Sequence, residues 1–433
     1  MLVYVTSITN RLSFTLDLVL KDLIGIDYEL TTDAAAFSFH TGPKLNYSRQ
    51  QIGEELFFYS TDLLFEKKIR RQDIAVFEWN DVKAFFATHP KYVIPFDPFA
   101  ASFYMVSRYE EYLPFHPDKF ARFEASESLA FQKSFLNKPI VNIWAQKIKN
   151  IFKETFPKLQ FRERAYRFIS TIDIDNAWAY KQKGLIRTGG ALMRSLASFE
   201  FTDFIERIAV LLGQKKDPYD TYEILSEIRV KYSFDMIYFF LLGDYAENDK
   251  NVSISKRKFQ SLIKSIADYS DTGIHPSFES NKNPALLLLE QLRLEKVVLR
   301  EVTKSRQHFL KLNFPETYRN LTEADITDDY TMGFSGEVGF RAGICTSYYF
   351  YDLEREAETR LKIHPFMVMD ATLKYYMKIK PAETMSYVGP LIKEVKAVNG
   401  TFILLWHNES LSDRKPWEGW KGVYEDIIKA AIH

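Results

Sequence analysis

The sequence predicts an α/β fold, in which a (β/α)7-type barrel follows a smaller mixed α+β domain. The chain has 433 residues, which is too long for one ordinary hydrophobic core and suits two domains. From residue 161 to 433, short apolar runs alternate with helical patterns, as in a parallel sheet or a barrel. Residues 1–160 lack this alternation. We therefore predict an α+β domain over residues 1–160 and a barrel over residues 161–433.

The predicted strands of the second domain are apolar runs rich in β-branched and aromatic residues. They are Tyr166–Ile172, Met236–Leu242, Thr272–His275, His308–Leu312, Phe366–Met369 and Thr401–Trp406. Helices are predicted between and after these strands. They are Lys258–Tyr269, Pro284–Val302, Pro315–Leu321, Ala371–Lys378, Val388–Val398 and Val423–Ile432. The segment from 183 to 232 interrupts the alternation, and we interpret it as a helical insertion (Ala191–Leu212 and Tyr219–Tyr232).

The first domain has fewer regular signals. Leu2–Thr6 reads as a strand, and Leu12–Ile24 as an amphipathic helix. Asp97–Pro114 has apolar residues at helical spacing and ends at a proline, which favours a second helix. A third helix is predicted over Ile140–Phe156.

Composition excludes several classes of protein. Apolar residues make up 46% and charged residues 26%, which is typical of globular proteins and not of disordered ones. The net charge is zero, so a nucleic-acid-binding surface is not expected. The single cysteine, Cys345, cannot form an intramolecular disulfide. We find no secretion signal and no apolar run long enough to span a membrane, and we expect a cytoplasmic protein.

Two aspartates follow the first strand of the second domain. Asp173 and Asp175 lie two residues apart, so on an extended backbone their side chains point the same way. One carboxylate can then bind a metal while the other takes a proton from its water. The structural alternative is that Asp175 or Asn176 caps the segment that follows.

Other polar residues lie at strand ends or in nearby turns. His275 follows a glycine and an isoleucine at the end of one predicted strand, and His407 follows another. His308 lies at a predicted strand start, and Asp370 follows Phe366–Met369. Arg341 lies in a glycine-flanked turn. Because chemistry in barrels gathers at the carboxyl ends of strands, these residues are candidates for one site.

The order of these motifs resembles the polysaccharide deacetylases, also called the NodB-homology or family 4 carbohydrate esterases. The motifs are Thr-Ile-Asp-Ile-Asp at 171–175, Gly-Ile-His-Pro-Ser at 273–277, the glycine-flanked Arg341, and Leu-Leu-Trp-His-Asn at 404–408. The resemblance covers about residues 165–433. It implies a distorted (β/α)7-type barrel that uses a divalent metal, with zinc the expected ion, to remove N- or O-acetyl groups from sugars.

The resemblance also implies roles for individual residues. Asp173 matches the catalytic base and Asp175 the metal-binding aspartate, although the family often has the two adjacent and Ile174 separates them here. His275 matches the first metal-binding histidine. Arg341 matches an arginine that orients the base, and His407 matches the general acid. Asp370 is then the carboxylate that holds His407 in place.

One departure concerns the third metal ligand. The family usually has a further histidine four residues after the first, and that position is Glu279 here. Either Glu279 or His308 can complete the metal site, and we favour His308. A third possibility is a degraded site that no longer catalyses.

The substrate implied by the resemblance is an acetylated glycan. Trp178, Trp406 and Arg306 are the candidate substrate contacts, although core packing is the more common role for a residue such as Trp406. In the first domain, Asp97–Phe99 and Ser107–Pro114 resemble an uncharacterised domain that precedes such deacetylases in Bacteroidetes-type proteins.

Two rival functions remain at this point. A degraded deacetylase barrel could act as a glycan-binding or scaffold module, which Glu279 favours. A glycoside hydrolase would need two carboxylates facing each other across a sugar bond, at about 5–9 Å. That reading leaves His275 and His407 without roles.

Overall fold

A computed structural model describes residues 1–184, 188–190, 193 and 201–433. The first residues of the chain form a four-stranded parallel sheet in the order β2-β1-β3-β4. Its strands are β1 (Leu2–Val5), β2 (Glu29–Thr31), β3 (Lys44–Ser48) and β4 (Leu56–Tyr59). A separate antiparallel pair follows, formed by β5 (Phe77–Trp79) and β6 (Val82–Ala84).

The same part of the chain forms several helices. They are Asn10–Leu16, which continues as a π-helix over Asp17–Ile24, then Ala34–Phe39, Pro98–Val106, Leu129–Gln132 and Ile140–Thr155. The helix from Pro98 starts as the sequence predicts, because the Asp97 carboxylate caps the backbone N–H groups of Phe99 and Ala100. It ends earlier than predicted, because Arg108 takes a left-handed conformation with φ of 53°. That turn starts a short 3-10 helix over Tyr109–Tyr112.

The large sheet has nine strands in the order β12-β13-β11-β10-β9-β8-β7-β15-β14. They are β7 (Arg167–Ile174), β8 (Asp235–Leu241), β9 (Asp271–His275), β10 (Lys304–Ser305), β11 (Asp328–Asp329), β12 (Tyr348–Asp352), β13 (Ala357–Ile363), β14 (Val368–Met369) and β15 (Thr401–His407). All neighbours run parallel except β12 and β13. No pairing among the described residues joins β12 to β14, so the predicted parallel sheet is present but a closed barrel is not confirmed.

The helices of this part alternate with the strands, as the sequence predicts for an α/β protein. They are Phe201–Leu211, Tyr222–Tyr232, Arg257–Ala267, Pro284–Val298, Glu316–Glu323, Thr384–Ala397 and Trp420–Ile432, with a π-helical turn at Thr372–Tyr376. Part of the predicted insertion helix Ala191–Leu212 lies outside the described residues. Within the part of the chain that the structure describes, no helix is both long and apolar enough to cross a membrane.

One predicted strand is wrong. His308–Leu312 begins with a 3-10 turn over His308–Leu310, and the strand here is β10, just before it. Phe309 takes a left-handed conformation, with φ of 59° and ψ of 11°. The chain therefore leaves the sheet immediately after β10, and this turn carries His308 to the edge of the sheet.

The parallel register gathers the strand ends at one edge of the sheet. His407 of β15 lies beside Asp173 of β7. Likewise, Leu241 of β8 lies beside His275 of β9. Because parallel strands end on the same side, the side chains that follow them meet there.

Candidate metal and catalytic site

Asp175, His275 and His308 come together at this edge of the sheet. Each offers one ligand atom, and the three atoms lie within 4.8 Å of one another. His275 Nε2 lies 3.2 Å from Asp175 Oδ1, and His308 Nε2 lies 3.5 Å from Asp175 Oδ2. Two imidazole nitrogens and a carboxylate oxygen form a donor set typical of zinc and related divalent ions.

Unpaired oxygens in the site also fit a cation. Asp173 Oδ1 and Asp175 Oδ1 are buried, and neither accepts a hydrogen bond of ordinary geometry from the described residues. A buried carboxylate oxygen without a partner is costly, and a bound cation would remove that cost. The residues present therefore fit a divalent metal.

Neighbouring groups fix the orientation of both histidines. The Nδ1 atom of His275 lies 2.5 Å from the carbonyl oxygen of Arg306, and Nδ1 of His308 lies 2.8 Å from Asp249 Oδ1. Both acceptors take a proton from Nδ1, so Nε2 is the nitrogen through which each histidine would bind a metal. Asp249 is 1% exposed and also accepts a hydrogen bond from the backbone N–H of Phe278.

The electrostatics of the cluster favour positive charge beside Asp175. Burial alone raises the pKa of the Asp175 carboxyl, but His308, together with His275, holds that pKa well below its usual range. Burial disfavours the charged form of His308, yet Asp175 and Asp249 raise its pKa to about 9. The same charge arrangement would attract a metal cation.

Asp173 lies next to this cluster and next to a buried arginine. Its Oδ2 is 3.7 Å from His275 Nε2, and its Oδ1 is 3.5 Å from Arg306 Nη1. Arg306 is fully buried between the rings of Phe239 and Phe366, and its Nε donates to the carbonyl of Tyr330. Arg306 therefore faces Asp173 and does not line the open cavity as a substrate contact.

His407 lies beside the cluster of Asp175, His275 and His308. Its Nε2 lies 3.8 Å from Asp175 Oδ2, and its Nδ1 lies 2.7 Å from Asp370 Oδ1. Asp370 is fully buried and also accepts hydrogen bonds from the backbone N–H of His407 and the hydroxyl of Ser410. Burial lowers the pKa of His407, but the Asp370 carboxylate outweighs burial and raises that pKa well above its usual value.

Arg341 does not join the site. Its guanidinium forms a two-bond ion pair with Glu111, with contacts of 2.6 and 3.0 Å, and it also donates to the carbonyl of Gly333. The two glycines that flank Arg341 allow its turn to approach other residues closely. Gly339 has φ of 134° and approaches the Leu136 carbonyl, and Gly343 has φ of 64° and approaches Met105. The glycine-flanked turn therefore packs against residues 1–157, and Arg306 takes the place beside Asp173 that the sequence assigned to Arg341.

Three further candidates lie away from the metal cluster. Glu279 is exposed, whereas His308 is 7% exposed and lies within the cluster. Trp406 is fully buried against Trp420 and Tyr424. Trp178 is 8% exposed and packs edge-on against Phe259. Neither indole lines the cavity beside the cluster.

The sequence predicts the metal-binding residues but not the residues that support and surround them. Asp249 is not among the predicted site residues, although it lies in the loop after β8, a strand that ends at the site. The cavity at the cluster has a volume of about 610 Å³, and Lys119, Phe120 and Arg122 form part of its lining. No sequence signal linked those three residues to strand ends more than fifty positions away.

The comparisons with known proteins give one family and several distant folds. The model of a family of unknown function, DUF7033, matches residues 1–157. No curated protein matches the chain in sequence. A structure described as a polysaccharide deacetylase from Mycobacterium smegmatis has 12% identity and a TM-score of 0.39, over 63% of this chain and 86% of that one.

Two other solved structures are similar over a comparable share of this chain. A 4-alpha-glucanotransferase from Thermococcus litoralis has 15% identity and a TM-score of 0.36, over 63% of this chain and 38% of that one. A mutant of a CE4 family pseudoenzyme with restored enzymatic activity has 13% identity and a TM-score of 0.26, over 66% of this chain and 79% of that one.

Proposed function

We propose that this protein is a metal-dependent hydrolase that removes acetyl groups from an N- or O-acetylated sugar. The observation that carries the proposal is the convergence of Asp175, His275 and His308 beside Asp173 and His407 at one cavity. The order of the motifs along the chain supports the same reaction class.

Asp175, His275 and His308 would hold the metal, with zinc the expected ion. A bound divalent metal lowers the pKa of water and polarises a carbonyl oxygen. His308 takes the place of the histidine that the deacetylase pattern expects at position 279. The exposed side chain of Glu279 is then not needed as a ligand.

Asp173 is the general base in this proposal. Its carboxylate borders His275 and accepts the proton of the attacking water. Arg306 places a positive charge 3.5 Å from the same carboxylate and fixes its position. Since Arg306 acts through Asp173, it is a positioning residue.

His407 is the general acid. The Asp370 carboxylate raises the pKa of His407 above its usual value, which favours the protonated imidazole that would donate a proton to the leaving amine or alcohol. The Nδ1 contact with Asp370 holds the ring so that Nε2 faces the cluster. A glycosidase would leave His275 and His407 without roles and would need two carboxylates that face each other across a cleft. Asp173 and Asp175 instead both border His275.

Elemental analysis of the zinc-reloaded protein tests the metal site. We expect about one zinc ion per chain in the wild type and little in His275→Ala. His116→Ala is a matched control, because that imidazole is 98% exposed and lies outside the cluster. A wild type that binds no zinc would remove the basis of the proposal.

Acetate release from N-acetylglucosamine oligomers tests the reaction. We expect Asp173→Asn to keep its zinc and lose roughly 100-fold or more in kcat, since it loses its proton acceptor. A wild type that binds zinc and oligomers but releases no acetate would favour a glycan-binding module.

A further inference from the structure

Residues 117–123, here called the pocket hairpin, belong to the segment that matches the family of unknown function, yet they reach the candidate site. Pro117 and Phe123 pair as an antiparallel bridge. The Asp118 carboxylate accepts hydrogen bonds from the backbone N–H groups of Phe120 and Arg122 and from the Arg122 guanidinium. These bonds make the hairpin a defined structure and not a loose loop.

Arg122 fastens the pocket hairpin to the site. It is 5% exposed, and its Nη1 donates to the Phe309 carbonyl at 2.6 Å while its Nη2 donates to the Tyr376 hydroxyl at 3.2 Å. Phe309 directly follows the candidate metal ligand His308 and is in the left-handed region. The hairpin therefore braces the turn that presents His308.

Phe120 and Lys119 then face the same cavity as the metal cluster. The Phe120 ring lies 4.8 Å from the Phe309 ring and 6.2 Å from the Phe278 ring, and it is half-buried. Tyr375 and Tyr376 also line this cavity and are 50% and 43% exposed. Exposed aromatic rings around a polar centre suit a ligand with flat apolar faces and many hydroxyl groups, which describes a sugar chain.

We propose that the pocket hairpin is a glycan-binding wall of the candidate site, in which Phe120 stacks on a sugar unit next to the acetylated one. This inference rests on the proposed deacetylase function for its choice of ligand. It gives residues 1–157 a role in substrate selection. The Lys119 ammonium lies over the Phe120 ring, with Nζ 4.9 Å from the ring centroid, and can donate hydrogen bonds to the hydroxyls of the same unit.

Calorimetric binding to the full-length, zinc-loaded chain tests the wall, with the N-acetylglucosamine tetramer as the probe. We expect Phe120→Ala to bind the tetramer roughly 3- to 10-fold more weakly than the wild type. Phe120→Leu keeps apolar packing on Phe309 but lacks a flat ring, and we expect the same weakening. Phe120→Trp should restore binding. Zinc content and Tm are measured on each variant to show that the site and the fold are intact.

Phe131→Ala is the matched control, because this ring belongs to the same segment, is 41% exposed and does not line the cavity. It should bind the tetramer as the wild type does. The hairpin proposal is overturned if Phe120→Leu binds as tightly as the wild type, or if the wild type does not bind the tetramer.

Acetate release separates this inference from the proposed function. If tetramer binding depends on Phe120 but no acetate is released, the proposed deacetylase function is rejected and the glycan-binding role of the pocket hairpin is kept. If acetate is released and substitution of Phe120 does not change tetramer binding, the proposed deacetylase function is kept and the glycan-binding role of the pocket hairpin is rejected.

Discussion

Asp249 shows how much of the site depends on a side chain that would not touch the metal. Its carboxylate accepts the Nδ1 proton of His308 and the N–H of Phe278, so it joins two segments that meet at the site. We expect Asp249→Asn to weaken zinc binding by roughly 10- to 100-fold, because the His308 ring loses its charged acceptor. Competition with a chelator measures the affinity.

Asp244→Asn is the control for that change. Asp244 lies in the same loop, but its side chain is 79% exposed and pairs with Arg293 at the surface. Zinc affinity should stay at the wild-type value. Equal losses in both variants would mean that loss of negative charge, and not the bond to His308, weakens the metal site.

Some residues of the site could be predicted from the sequence, and others could not. Asp173, Asp175, His275 and His407 could be proposed because each follows an apolar strand, and parallel strands end at one edge. The sequence predicts Arg306 as a substrate contact, because a sequence does not show that a guanidinium is buried beside a carboxylate.

At the scale of elements, β9 is confined on both sides at Gly273. A Cβ atom there would lie 2.6 Å from the Phe239 ring and 2.7 Å from the Lys304 carbonyl oxygen. We expect Gly273→Ala to lower the free energy of unfolding by about 1–3 kcal/mol. Zinc affinity should also fall, because His275 lies two residues further along the same strand. Denaturant unfolding and zinc titration measure the two effects.

Gly422→Ala provides the comparison for β9. Gly422 lies in the helix Trp420–Ile432, and a Cβ atom there meets nothing within 4 Å. Because alanine favours the helix over glycine, we expect this variant to be more stable by up to about 1 kcal/mol. A similar loss in both variants would contradict the role of close packing at Gly273.

The helix Pro284–Val298 is tied to the loop after β9 through Glu290, which accepts hydrogen bonds from the backbone N–H and hydroxyl of Ser277. Burial raises the pKa of Glu290 to about 7. The folded protein therefore holds a proton that the unfolded chain releases above about pH 4.5. The resulting stabilisation is complete below that pH and is lost as the pH rises through 7.

Glu290→Gln isolates this effect, because the variant cannot lose the proton. Between pH 4.5 and 8, we expect the wild type to lose on the order of 2 kcal/mol of unfolding free energy relative to the variant. Denaturant unfolding of both proteins across that range measures the difference. A difference that does not change with pH would contradict the raised pKa.

At the scale of the whole molecule, a buried ion pair connects residues 1–157 to the loop between β11 and β12 of the large sheet. Glu111 binds both Arg341 and Arg108, and all three are at most 6% exposed. Burial raises the pKa of Glu111, but the two arginines outweigh it and lower that pKa below its usual value. We expect Arg341→Ala to cost about 3–5 kcal/mol of unfolding free energy, because it leaves a buried charge with half of its partners.

Lys138→Ala is the matched control, because Lys138 also crosses to the second part of the chain but is 42% exposed where it meets Glu394. A cost below about 1 kcal/mol is expected for it. Zinc binding should persist in folded Arg341→Ala protein. Loss of acetate release at unchanged stability would instead restore Arg341 to the catalytic role that the sequence suggested.

The whole fold was predictable only in part. Alternating strands and helices predicted the parallel sheet, but β10 and β11 are two residues long and give no periodic signal. The antiparallel pair β12 and β13 was missed as well. The contact of the pocket hairpin with Phe309 joins positions far apart in sequence, and pairing of that kind leaves no local pattern. The domain boundary at residue 160 stays a prediction.

The position of β7 in the sheet has a consequence for the synthesis of the protein. β7 pairs with β8 on one side and with β15 on the other, and its inner residues Ile172 and Ile174 are fully buried. A ribosome makes β15 about 230 residues after β7, which takes roughly 10–50 seconds at ordinary elongation rates. Throughout that interval the nascent chain has an unpaired apolar strand edge, which can pair with other chains. Chaperones that shield such edges should therefore raise the yield of native protein.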